Sequence, residues 1–116
     1  MTSSTGLRTL QNVINGERTD AADGRTSDVI DPTTGQPYAQ APVSGQADVD
    51  AAMTAAAAAF EKWRDTTPSD RQKALLKIAD AIEARVDEIV KVESENTGKP
   101  IGLTTSEELP PAIDQI

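Results

Sequence analysis

The 116-residue chain has no cysteine and no histidine. The commonest general acid–base group and the commonest metal ligand are therefore absent, and so is any thiol nucleophile or disulfide framework. What remains for chemistry is carboxylates and amines. The carboxylates are scattered, and nothing matches the ligand spacing of a calcium loop. Glu107-Glu108 is the one acidic pair next to a helix start, where two carboxylates favour the positive end of a helix dipole. Gly98-Lys99 invites a phosphate-loop reading, but that motif needs glycine five residues before the pair and Ser or Thr after the lysine. Those positions hold Glu93 and Pro100, and there is no GxGxxG segment. The residues contain no reaction centre of their own.

Composition narrows the function classes further. With 11 basic against 19 acidic residues the net charge is −8. Neutralising phosphates needs a basic face, so nucleic acid is excluded as a partner, and anionic membrane surfaces are disfavoured for the same reason. No apolar run approaches the ~20 residues of a membrane span. The opening MTSSTGLRTLQ lacks the apolar centre of a signal peptide, so the expected compartment is the cytoplasm. Only 3% of residues are aromatic, which predicts a thin core of Ala, Ile, Leu and Val.

The elements that must position these side chains follow from periodicity. Residues 1–9 are polar and Ser/Thr-rich and are expected to form a disordered tail. Residues 10–43 read as two successive antiparallel hairpins. Asn15-Gly16 turns the first, because both residues tolerate positive φ. Asp31-Pro32-Thr33-Thr34-Gly35 turns the second, and Pro42 confines the return strand to an edge or strand end. Ser44-Gly45-Gln46 opens a helix whose stripe is Val49, Met53, Ala56, Phe60 and Trp63. Phe60 and Trp63 are expected in the core, each contributing about 1.5–3 kcal/mol on burial.

Residues 67–100 form the strongest pattern. Thr67-Pro68-Ser69-Asp70 carries start signals, and Leu75, Ala79, Ile82, Val86, Ile89 and Val92 make one apolar stripe. A break near Arg85-Val86 would divide it into tandem helices, and Gly98 with Pro100 ends it. A last helix is predicted to begin near Leu109–Pro111, since two prolines fit only a first helical turn. Its apolar pattern is unfinished at Ile116, which leads us to expect a piece of a longer protein. Residues 44–116 thus read as the helical part of an incomplete domain.

Several segments, in order, resemble the N-terminal quarter of the NAD(P)-dependent aldehyde dehydrogenase superfamily. They are Ile14-Asn15-Gly16-Glu17, Val29-Ile30-Asp31-Pro32-Thr33-Thr34-Gly35, Ala47-Asp48-Val49-Asp50 with the Ala-rich helix to Trp63, and Arg71 with Leu75-Leu76. Glu93, Asn96-Thr97-Gly98-Lys99-Pro100 and Ala112-Ile113-Asp114 complete the set. PYAQAPVSG and ESENTGKPI…SEELPPAIDQI look most like aminobutyraldehyde (aminoaldehyde) dehydrogenases, which oxidise 4-aminobutanal with NAD.

The resemblance implies an α/β fold in which two β-hairpins precede helices that pack on a Rossmann-like cofactor domain. It implies NAD as cofactor, an aldehyde as substrate, and a homo-oligomer (dimer or tetramer) at full length. The family's catalytic cysteine and cofactor loop would lie beyond Ile116, so these residues alone are expected to be inactive. It also implies a Na⁺ or K⁺ at Asn96, assisted by the carbonyl of Ile30 or a neighbour, with an amide where the family commonly has a carboxylate. Glu108, and secondarily Glu107, would stand at the substrate entrance and meet the ammonium end of an aminoaldehyde. A second reading, free of the resemblance, is a stand-alone acidic α+β interaction module without catalysis.

Overall fold

The computed structural model describes residues 6–116. They form two compact units: the chain through Ile30 with Gly35–Asp65, and Asp31–Thr34 with Thr66–Ile116.

In the first unit, β2 (Asn12–Ile14) and β3 (Glu17–Thr19) pair antiparallel with Asn12 opposite Thr19 and Ile14 opposite Glu17. Asn15 at φ 54° and Gly16 at φ 78° make the turn, the two successive positive φ values that Asn-Gly favours. The second hairpin joins β4 (Thr26–Asp31) to β5 (Gln36–Pro42) through Pro32–Gly35, and the Val43 N–H donates to the Arg25 carbonyl at 2.9 Å across its base. One strand was not anticipated. β1 (Arg8–Thr9) runs parallel to β5, Arg8 opposite Ala39, giving a sheet of order β1-β5-β4. The expected tail over residues 1–9 is therefore corrected: Arg8 and Thr9 are strand, and residues 1–5 lie outside the described residues. Two residues are too short to show period-2 patterning, and β5 supplies their hydrogen-bond partners.

Helix α1 (Gln46–Trp63) starts at Gly45 as expected. Glycine has no side chain to cap with, and Asp48 does the work instead. Its Oδ2 accepts the Gly45 N–H at 2.8 Å and its Oδ1 accepts the Ala22 N–H at 2.8 Å. Phe60 and Trp63 depart from expectation, being 56% and 46% exposed. Three-residue strands reach ~10 Å, whereas an 18-residue helix is ~27 Å long. The Asp48, Ala51, Ala52 and Ala55 side of α1 lies against the hairpin, and the aromatic end runs past it.

In the second unit, the long stripe is divided as its pattern allowed, into α2 (Pro68–Glu83) and α3 (Val86–Thr97). Thr67 caps α2, its hydroxyl accepting the Asp70 N–H at 3.1 Å, and Gly98 caps α3 at φ 75°. Val90 is the buried apolar residue of α3, one position off the predicted stripe. The core is thin: Val90 here, Ala21 and Ala39 in the first unit.

The last helix begins eight residues before its predicted start. α4 (Ile101–Leu103) passes through a π turn (Thr104–Glu108) into α5 (Leu109–Asp114), which packs on α2. The prolines explain the turn. Pro110 and Pro111 lack N–H groups, and in a regular helix their rings would strike the carbonyls four residues back. Widening the helix avoids this, and the Leu109 N–H reaches the Thr104 carbonyl, five residues back. The hydroxyls of Thr104, Thr105 and Ser106 bond the carbonyls of Pro100, Ile101 and Gly102 at 2.8–3.2 Å, which further bends the segment.

Candidate functional site

The polar cluster with binding chemistry lies in the second unit, where the C-terminus of α3 meets the π turn. Left-handed Gly98 reverses the chain, with its N–H on the Ser94 carbonyl at 2.9 Å. Lys99 follows, and its N–H donates to the Thr97 hydroxyl at 3.2 Å. That hydroxyl in turn bonds the Glu93 carbonyl at 2.9 Å. The Lys99 side chain is thereby set between two carboxylates.

Lys99 Nζ donates to Glu108 Oε2 at 2.7 Å and stands 3.6 Å from Glu93 Oε1. All three side chains are half-buried. The Glu108 hydrogen bond holds the Lys99 amine above the usual lysine range, against a small opposing effect of desolvation and with lesser help from Glu93. One ammonium between two carboxylates leaves a formal charge of −1. Such a cluster can bind a cation; it contains no nucleophile and no group poised to move protons near neutrality.

The residues named from sequence fall as follows. Glu108 is the last residue of the π turn and is engaged by Lys99. Glu107, one position earlier, is exposed. Asn96 lies in the last turn of α3 in the second unit, and Ile30 is an exposed β4 residue of the first. Among the described residues no group of three His, Cys, Asp or Glu side chains is placed to hold a metal ion. Asn96 and backbone carbonyls offer neutral oxygens, a donor set that suits a hard monovalent cation. Sequence reasoning missed Lys99 and Glu93 as partners of Glu108. The usable signal was Gly98: a left-handed cap turns the next residue back toward its own helix end.

Comparison with known proteins places this geometry. The profile described as "Aldehyde dehydrogenase family" matches residues 19–116. Acetaldehyde dehydrogenase 2 of Cupriavidus necator is 41% identical over 104 residues, covering 90% of this chain and 21% of that protein. Two crystal structures superpose with TM-scores of 0.87 at 36% identity and 90% coverage of this chain. One is PnpE in complex with nicotinamide adenine dinucleotide, of which 21% is covered. The other is gamma-glutamyl-gamma-aminobutyraldehyde dehydrogenase from Burkholderia cenocepacia, of which 22% is covered. The chain spans about a fifth of the length of the relatives it matches. The order of its elements, its α/β architecture and the family match agree: the chain belongs to the aldehyde dehydrogenase family.

Proposed function

We propose that these residues serve an NAD-dependent aldehyde dehydrogenase whose substrate carries a terminal ammonium, with 4-aminobutanal oxidised to 4-aminobutanoate. Ancestry supports the aldehyde and the cofactor, since relatives include an acetaldehyde dehydrogenase and an NAD complex. It leaves the far end of the substrate open, because the relatives' names differ there. The observation that carries the ammonium is Glu108: its carboxylate already holds a primary ammonium at 2.7 Å. A charge-assisted hydrogen bond of this kind is short and strong, and its geometry is the same for a substrate amine.

The role of the chain is to bind and orient. α2, α3 and the π turn present Glu108, with Glu107 beside it, to the amine of the substrate. NAD, when bound by residues outside this stretch, accepts the hydride, and a cysteine outside it supplies the nucleophile. A Na⁺ or K⁺ at Asn96 belongs to the same reading and predicts a melting temperature of the complete enzyme that differs between NaCl or KCl and choline chloride. A homo-oligomer in the cytoplasm completes it.

The test is steady-state kinetics of the complete enzyme, following NADH with 4-aminobutanal and with butanal. Glu108→Gln should raise KM for 4-aminobutanal much more than KM for butanal. Equal effects on both would refute ammonium recognition at Glu108, and absence of NADH formation with either would refute the reaction.

A further inference from the structure

We infer that Lys99 is a displaceable internal ammonium: it occupies Glu108 until the amine of the substrate arrives, then moves to Glu93. This rests on the proposed reading of Glu108 and adds two specificity-determining residues to it. The geometry points to a relay rather than a fixed brace. Lys99 is bonded to Glu108 at 2.7 Å and lies 3.6 Å from Glu93, outside hydrogen-bond range yet already within ion-pair range. A small torsion of a four-carbon side chain closes that gap, since a lysine ammonium carries three donors on a flexible stem. The backbone at Lys99 is held independently of the side chain, by the Gly98 cap and the Thr97 hydroxyl. The ammonium can therefore exchange partners without a change of fold.

Charge accounting favours the exchange. With the substrate amine on Glu108 and Lys99 on Glu93, two ammonium groups face two carboxylates and the cluster is neutral. Without Glu93, the entering amine would meet Lys99 as a like charge beside a single carboxylate, which is unfavourable. An uncharged aldehyde gains nothing from displacing Lys99. Glu93 and Lys99 are positioning residues here, since Glu108 is the group that meets substrate.

Two substitutions act in opposite directions, which a merely structural role would not produce. The quantity to measure is the KM for 4-aminobutanal divided by the KM for butanal, in the complete enzyme. Lys99→Met removes the competitor and should lower this ratio about two- to fivefold, the range for an exposed ion pair. Glu93→Gln removes the alternative site and should raise the ratio by a similar factor. In the Lys99→Met background, Glu93→Gln should leave the ratio where Lys99→Met put it. Lys99→Arg, which keeps the charge, should stay near the wild-type ratio. If Glu108→Gln raises the ratio while Lys99→Met and Glu93→Gln do not move it oppositely, the relay is wrong and ammonium recognition stands. If Glu108→Gln leaves the ratio unchanged, both are wrong. Should Lys99→Met fail to fold, Glu93→Gln alone decides, because a fixed brace predicts no rise in the ratio when the weaker partner is removed.

Discussion

A Cβ built on Gly98 would lie 3.1 Å from Cγ of Pro32. The tip of the second hairpin thus packs on the cap of α3, bringing together two segments 66 residues apart that each carry part of the family resemblance. Gly98 is doubly required, by its φ of 75° and by this contact. Gly98→Ala should destabilise the protein by about 1–3 kcal/mol. Adding Pro32→Ala should recover the contact share of that loss and leave the backbone share. Thermal unfolding of the single and double variants of the complete protein separates the two.

Asp48 gives a second measurable stability effect. It is 9% exposed and accepts two backbone N–H groups. Asp48→Ala leaves both donors short of a partner and should cost about 1–3 kcal/mol. Asp48→Asn keeps one acceptor oxygen and should cost less. Urea midpoints of the two variants test the order, and equal losses would count against the two-donor account.

The pH dependence of the second hairpin follows from Asp31. The Thr33 hydroxyl at 2.6 Å and N–H at 2.8 Å hold its carboxyl below the usual aspartate value of 3.8. A depressed folded value means stability that is present above the ordinary value and lost as pH falls through the folded one. Thr33→Val removes the hydroxyl, the larger influence, and should move the Asp31 titration up toward the ordinary value. Carboxylate NMR reads this directly; an unmoved midpoint would assign the shift elsewhere.

The π turn makes a fourth prediction. Replacing Pro110 and Pro111 with alanine restores two N–H donors and removes the ring clashes, so a regular helix can extend through residues 101–114. Glu108 would then rotate away from Lys99. The Lys99 amine should fall toward the ordinary lysine value of 10.5, as Glu108 is the main influence holding it up. A ¹⁵N titration of the Lys99 side chain in the double variant measures it, and an unchanged value would mean that the turn does not set the pair.

Much of this was legible in the sequence because the deciding interactions are local. Asn15-Gly16, Thr67-Pro68 and Gly98 each fix backbone geometry within a few residues, and each adopts the expected form. Hydrophobic period found α1, α2 and α3. The misreadings have non-local causes. β1 exists because β5 lies alongside it. Phe60 and Trp63 satisfy a helical stripe, but period cannot say how far the neighbouring hairpin extends. The early start of the last helix was hidden by a rule applied to the regular α form, which the π turn evades. At the candidate site, Glu108 was visible as half of an acidic pair beside a helix start. Its partner was not, because Lys99 reaches it across nine positions and two changes of helical form.

The π turn also bears on chain length. A widened turn holds one residue more than the regular helix on either side of it. Deleting one residue among Thr104–Ser106 would convert it to ordinary helix while keeping both flanks on their original faces. The same deletion inside α2 would swing everything beyond it by about 100°. This segment is therefore a place where homologous proteins can differ by one residue without refolding the entrance, and an alignment gap there would be a structural event of little consequence.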